Sequence, residues 1–135
     1  MITGTASGAE TLPKLFLENC KAYPSRTAMR RKDLGIWNRY TWDDCYVAVK
    51  QFTLGLHQLG FRPEDKLCIV GDNDPEWYWA QLAAEALGGA AVGLYIDVSP
   101  SEAQFIASHS DSMIAVAKDQ EQCDKFLEVA SNLPR

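Results

Sequence analysis

Three short apolar runs alternate with helical segments in the second half of the sequence, and this alternation restricts the fold more than any other feature. The runs occupy residues 67–70, 90–96 and 113–117. Parallel strands that are buried on both faces have this appearance, because neither face needs polar residues. Right-handed crossovers would then place helices on both faces of the sheet. We therefore expect an α/β fold with an open, parallel, three-stranded β-α-β-α-β-α sheet.

Helix boundaries between these runs are marked by capping residues. Asp74 is a suitable N-cap because Pro75 follows it at the first helical position, and Gly88 ends that helix. Ser99 opens the next helix with a capping box, and Asp119 begins the last one. The apolar face predicted for the last helix consists of Cys123, Phe126, Leu127 and Ala130.

The first half of the sequence predicts a helix, a β-hairpin and a long amphipathic helix. The first helix starts at the Thr11 cap and ends before Tyr23, and residues 27–32 and 36–41 flank a turn at Gly35. Thr41 caps the long helix, which should end at Gly60. One stripe of that helix carries Trp42, Cys45, Val49, Phe52, Leu56 and Leu59. We interpret the stripe as internal packing; the alternative is an interaction module that binds a partner helix.

Size and charge exclude several classes of protein. A chain of 135 residues forms about one domain, and a net charge of −5 disfavours nucleic acid as a partner. The longest apolar stretch, residues 77–96, is interrupted by polar and glycine residues, so no membrane span is expected. Residues 1–10 are small and polar and are expected to form a disordered tail. The cysteines show no metal-binding spacing and are expected to be reduced and buried: Cys20, Cys45, Cys68 and Cys123.

Ligands of open α/β sheets bind at the carboxyl ends of the strands, which here lead into the loops 71–74, 97–99 and 118–119. These loops are acidic and lack the glycine-rich nucleotide fingerprints, so direct phosphate binding is disfavoured. Mg²⁺ held by the loop carboxylates, as in a free-standing flavodoxin-like nucleotide or phosphoacceptor domain, is an alternative function. An N-cap role at the start of the following helix accounts for Asp74 equally well. The three carboxylates are Asp72, Asp74 and Asp97.

The histidines and the aromatic residues carry no catalytic pattern. His57 and His109 stand alone, without a nucleophile or carboxylate at a spacing typical of a triad. Neighbouring aromatic residues on the helix after Asp74 point in different directions, so at least one ring should be exposed. We expect Trp77, Trp79 and Tyr95 to contribute to a partner or domain contact.

Five blocks of the sequence together resemble the N-terminal region of long-chain acyl-CoA synthetases, which belong to the adenylate-forming (AMP-binding) superfamily. In order, the blocks are TLPKLFLEN (11–19), RKDLGIW (31–37) leading to YTW (40–42), GDNDPEW (71–77), GLYID (93–97) and AKDQEQCDK (117–125). The resemblance runs from Thr11 to the end of the chain. It implies that residues 11–135 are the N-terminal portion of the adenylate-forming fold.

The resemblance implies an enzyme that uses ATP and Mg²⁺ to convert a fatty acid into an acyl-adenylate and pyrophosphate, and then transfers the acyl group to CoA. The family's phosphate loop, adenine-contacting segment, ribose-binding Asp and catalytic Lys lie further along, and no positions here match them. We therefore expect no catalytic, cofactor-binding or metal-binding residues in this chain and no activity by itself. The expected partners are the remainder of the polypeptide and a second copy of the chain, in the cytoplasm or peripherally at a membrane.

Overall fold

A computed structural model describes residues 8–133; residues 1–7, which make up most of the expected tail, lie outside the described residues. The elements follow the predicted order. They are α1 (Leu12–Ala22), β1 (Thr27–Asp33), β2 (Ile36–Thr41), α2 (Trp42–Gln58), β3 (Lys66–Val70), α3 (Pro75–Ala86), β4 (Ala90–Leu94), α4 (Pro100–Ser110), β5 (Ser112–Ala117) and α5 (Gln120–Glu128), followed by a 3₁₀ turn (Ala130–Asn132).

The parallel sheet has the strand order β4-β3-β5, with β3 in the centre. Successive side chains of β3 point to opposite faces. Leu67 and Ile69 pack with α2 and α3, whereas Cys68 and Val70 pack with α4 and α5. Every one of these four side chains is at most 2% exposed. The result is a three-layer α/β arrangement, which confirms the predicted fold class.

The hairpin β1-β2 packs beside the helices through a small third core. Its tight turn consists of Leu34 and Gly35, whose φ angles of 45° and 84° are both positive. Two consecutive residues of this kind match the twist of hairpin strands. The core joins α1 to α2, and the rings of Phe16 and Trp42 lie 6.0 Å apart between their centroids.

The apolar stripe of α2 packs within the molecule, as predicted, except at its last position. Cys45, Val49 and Leu56 are buried, and Phe52 is half-buried against the core formed with α3. Leu59 is 68% exposed. The helix ends at Gln58, so Leu59 is the C-cap and no longer continues the stripe.

The predicted caps at Thr41 and Ser99 are both present, and each forms a capping box. The Thr41 hydroxyl accepts from the backbone N–H of Asp44 (3.1 Å), and the Asp44 carboxylate accepts from the backbone N–H of Thr41 (2.8 Å). Ser99 and Glu102 make the same exchange at the start of α4. Hydrogen bonds from Thr41 and from Ser99 lower the pKa values of the Asp44 and Glu102 carboxyls.

The buried face of α5 differs from the prediction. The side chains that enter the core are Gln122 and Phe126, followed by Val129 just after the helix, at spacings of four and three residues. Leu127 is 62% exposed, and Ala130 is also exposed. A search for apolar residues at helical spacing could not indicate this face, because one of its buried residues is Gln122, whose side chain is a polar amide.

The burial of the four cysteines agrees largely with the prediction. Cys20, Cys45 and Cys68 are buried and unpaired, whereas Cys123 is only half-buried. Burial raises the pKa of Cys20 to about 11 and also raises the pKa values of Cys45 and Cys68. Across residues 8–133, no helix has the length and hydrophobicity that a bilayer span requires.

Truncation of Leu56 to Ala should lower the free energy of unfolding by about 2–5 kcal/mol, because the side chain is 4% exposed and its removal leaves a cavity. Leu59→Ala, on the same helix, is the matched control and should change stability by no more than about 0.5 kcal/mol. Urea denaturation measures both. Equal effects of the two substitutions would contradict the assignment of the stripe to the core.

Alkylation should distinguish the four thiols. In the folded chain at pH 8, iodoacetamide should modify Cys123 before the other three cysteines, because they are buried and their pKa values are raised by burial, whereas Cys123 is only half-buried. Peptide mass spectrometry over a time course gives the order of modification. Early modification of Cys68, in the central strand, would contradict the packing described here.

Candidate functional site

The carboxyl end of the sheet has the geometry in which α/β proteins bind ligands. After β3 the chain turns to α3 on one face, whereas after β5 it turns to α5 on the other face. Neighbouring strands whose connections leave in opposite directions open a crevice between their ends. A cavity of about 290 Å³ lies at this point. We call it the sheet-end cleft.

The sheet-end cleft has an apolar floor and a charged rim. The floor is formed by side chains of α2, the strands and α3, including Phe52, Ile69, Trp77 and Val116. The rim carries the side chains Arg31, Asp72, Asp74, Glu76 and Lys118. Its charges come from three separate parts of the chain, namely the hairpin, the loop into α3 with the first turn of that helix, and the loop into α5.

Ion pairs connect these three parts. Arg31 Nε lies 3.2 Å from Asp74 Oδ1, and Arg31 Nη1 lies 3.5 Å from Glu76 Oε2. Lys118 Nζ donates a hydrogen bond to Asp72 and lies 3.6 Å from Asp74 Oδ2. The hydrogen bond to Asp72 raises the pKa of the Lys118 ammonium. Asp74 therefore lies between two cations and joins the hairpin to the sheet.

Asp74 is the N-cap residue of α3 and Pro75 follows it, as predicted, but the Asp74 side chain has a different role from the one expected. Its carboxylate makes no capping hydrogen bond at the start of α3 and instead pairs with Arg31 and Lys118. A cap was expected because Asp commonly accepts N–H groups of the first helical turn. Two cations at ion-pair distance offer stronger, charge-assisted partners.

A metal site does not form from the loop carboxylates. Asp72 and Asp74 are paired with cations, and Asp97 is exposed in the loop after β4. Within the described part of the chain, no group of three or more potential metal ligands comes together. The residues present therefore do not fit Mg²⁺. The same two carboxylates would repel phosphate groups at the start of α3.

A second cleft, of about 420 Å³, lies between the ends of β3 and β4. The indole of Trp77 lines both clefts. It reaches this position because β4 carries Gly93, where a Cβ atom would lie only 3.0 Å from Cζ2 of the indole. Any larger residue at this position would push the ring away from the strand.

Of the three aromatic residues expected to form a contact surface, Trp77 and Tyr95 both line the second cleft. Trp77 is half-buried between the clefts, and Tyr95 is 83% exposed in the loop after β4. Trp79 packs edge-on against the hairpin residue Tyr40, with ring centroids 5.4 Å apart. Trp79 does not line that cleft. A role for any of them in partner contact stays a prediction.

Sequence reasoning missed the two cations of the rim. Lys118 follows β5 directly, at the same edge as Asp72 and Asp74, so opposite charge at adjacent strand ends was a usable signal. Arg31 gave no such signal. It approaches Asp74 only because the hairpin docks beside the sheet, which is a tertiary contact that local pattern does not indicate.

Comparison with known proteins gives a consistent set of matches. The family model described as AMP-binding enzyme matches residues 16–135. Among curated proteins, the long-chain-fatty-acid–CoA ligase ACSBG1 of Rattus norvegicus is 27% identical over 124 residues, covering 92% of this chain. The long-chain-fatty-acid–CoA ligase ACSBG2 of Gallus gallus is 32% identical over 130 residues, covering 93% of this chain.

A solved structure also has the same fold. The N-terminal domain of FACL13 from Mycobacterium tuberculosis superposes with a TM-score of 0.82 at 17% identity, covering 91% of this chain and 31% of that domain's chain. At this identity the likeness shows the fold alone. The present chain spans only 17% of the rat relative and 16% of the chicken relative.

Substitution of Asp74 by Asn should lower the free energy of unfolding by roughly 1 kcal/mol, because it removes the negative charge that two cations share. This value is at the upper end of the range for a partly exposed ion pair. Asp97→Asn is the matched control and should have little effect. High salt should reduce the difference between the two variants, since it screens ion pairs. Thermal unfolding at low and high salt measures the stability of both variants. An equal loss of stability in the two variants would contradict the structural role of Asp74.

Proposed function

The chain belongs to the AMP-binding enzyme family, and we propose that it forms the N-terminal part of a long-chain fatty-acid–CoA ligase. The proposed reaction consumes ATP with Mg²⁺ to form an acyl-adenylate and pyrophosphate, and then transfers the acyl group to CoA. The observation that carries this proposal is the family match over residues 16–135, together with relatives that are named as such ligases.

The proposed contribution of this chain is architectural. Adenylyl transfer requires groups that stabilise charge on the phosphates and on the leaving pyrophosphate. The loop after β3 offers instead two carboxylates and Pro75, which has no N–H to donate. Lys118 and Arg31 are held by carboxylates of the same rim. These observations support a scaffold whose catalytic groups belong to other parts of a longer polypeptide.

The alternative functions have less support. A phosphoacceptor domain would need free carboxylates at the strand ends, whereas Asp72 and Asp74 are paired with cations. A module that binds a partner helix would need an exposed α2 stripe, whereas Cys45, Val49 and Leu56 are buried in it.

We also propose a cytoplasmic location and a tendency to self-associate. Unpaired cysteine thiols are typical of reducing compartments. Strands β4 and β5 form the edges of the described sheet, and the exposed side chain of Met113 lies on β5. Unprotected edges of this kind favour association with further strands or with a second copy.

The proposed function predicts different activities for short and long forms. The 135-residue chain should show no fatty-acid-dependent exchange of pyrophosphate into ATP above background. A polypeptide extended at its C-terminus to the length of the relatives should show exchange with long-chain fatty acids and release of AMP in the presence of CoA.

Two outcomes would contradict the proposal. Saturable, Mg²⁺-dependent turnover by the short chain, with full-length ligase excluded by mass spectrometry, would show that the catalytic groups lie within it. An extended polypeptide that folds but activates only other classes of carboxylic acid would agree with the family assignment. It would contradict the proposed long-chain fatty-acid substrate.

A further inference from the structure

The end of the hairpin β1-β2 carries three large apolar side chains that the rest of the protein leaves in water. Leu34 in the turn is 95% exposed, and Ile36 and Trp37 on β2 are 68% and 62% exposed. Residues 32–39 are all exposed, so this part of the hairpin extends beyond the cores described above. Single exposed apolar residues are common, whereas three together at the end of one element are typical of a contact site.

Basic residues are concentrated in the same hairpin. Residues 26–39 contain five of the 13 Lys and Arg residues of the chain but only one carboxylate, that of Asp33. The whole chain carries a net charge of −5. Positive charge is therefore separated from the acidic remainder of the chain and collected around the exposed apolar side chains.

One face of the hairpin holds it to the body of the protein. Met29 and Tyr40 form a cross-strand pair, and both pack in the small third core. Arg31 lies two residues further along β1, so its side chain points to the same side and reaches Asp74. This inner face is committed to internal contacts.

The outer face of the hairpin consists of the cross-strand pairs Arg30–Arg39 and Lys32–Trp37, all of them exposed. Within residues 8–133, none of the ion pairs involves these three cations. Asp44 lines a surface recess together with Arg39, but its carboxylate is engaged in the capping box of α2. Like charges directly opposite each other destabilise a strand pair. The two arginines therefore lower the stability of the hairpin in a way that an anionic partner would relieve.

The apolar and basic groups lie at different heights along the hairpin. Leu34 is at the end, and the pair Lys32–Trp37 follows it. The pair Arg30–Arg39 lies two residues behind Trp37, which corresponds to about 7 Å along a strand. A bilayer interface has the same order, with acyl chains first, then the zone that Trp prefers, then the charged head groups. The spacing also falls within the ~5–10 Å to which interfacial segments enter a bilayer.

We propose that the hairpin tip, residues 30–39, docks on an anionic lipid surface. Leu34, Ile36 and Trp37 enter the upper acyl chains, and the cations of the outer face contact the lipid phosphates and carboxylates. The carboxylate of Asp33 limits the depth to the interface, because a charge is costly in the hydrocarbon core. A nucleic acid would leave the aliphatic side chains unused and would repel the acidic remainder of the chain. The docking is separate from the reaction of the proposed ligase.

Co-sedimentation with vesicles tests this proposal without ATP, fatty acid or CoA. The 135-residue chain should bind saturably to vesicles of equimolar phosphatidylcholine and phosphatidylserine. Binding to vesicles of phosphatidylcholine alone should be roughly tenfold weaker, because the cations then have no anionic lipid to contact. High salt should weaken binding to the anionic vesicles. Equal binding to both kinds of vesicle would overturn the proposal.

Two matched pairs of variants locate the docking surface. Ile36→Ser should weaken binding to the anionic vesicles roughly tenfold, whereas Leu59→Ser, at a position that is also 68% exposed, should not. Lys32→Gln should weaken binding roughly fivefold, whereas Lys50→Gln, the same change on the exposed side of α2, should not. All four positions are exposed, so urea denaturation should show nearly unchanged stability. Binding that survives both hairpin variants would overturn the proposal.

The depth of docking has its own signal. Lipids brominated on the upper acyl chain should quench tryptophan fluorescence, and Trp37→Phe should remove this quenching, because the other three tryptophans are half-buried in the body of the protein. Vesicle binding with unchanged quenching in Trp37→Phe would overturn the proposal.

Other partners would give different results. Binding to DNA or heparin without binding to the anionic vesicles would show that the tip recognises a soluble polyanion and would overturn the proposal. A shift from dimer to monomer caused by Ile36→Ser, measured by light scattering, would show that a second copy covers the tip, and this would overturn it too. Ligase activity is measured separately in the extended polypeptide, so failure of the docking and failure of the proposed function are distinguishable.

Discussion

The burial of β3 on both faces is the constraint on which the rest of the structure depends. A strand at the centre of a parallel sheet can bury four consecutive side chains only if each face is covered by its own helical layer. Cys68 and Val70 require α4 and α5, and Leu67 and Ile69 require α2 and α3. The long amphipathic helix before the sheet thus belongs to the same core as the crossover helices. The two halves of the chain form one body for this reason.

The features that the sequence predicts well are those decided by local chemistry. Capping boxes at Thr41 and Ser99, the turn at Gly35 and the three apolar runs all rest on neighbouring residues, and the structure shows each of them. The errors occur where a distant contact decides. Asp74 occupies the predicted N-cap position, yet its carboxylate makes no capping hydrogen bond and pairs instead with Arg31, from a hairpin more than forty positions earlier.

The same distinction explains the candidate sites. The position of the sheet-end cleft followed from topology alone, because parallel strands bring their carboxyl ends to one edge. Its charge balance did not follow, since loops that are acidic in sequence are neutralised by cations from elsewhere, including Lys118.

Electrostatics limits what the sheet-end cleft could still accept. In the sheet-end cleft, each cation already has carboxylate partners, so an incoming anion would have to displace Asp72 or Asp74 and leave that carboxylate unpaired. The sheet end is therefore already occupied by contacts that hold the hairpin to the sheet. The charged end of the fold thus serves architecture.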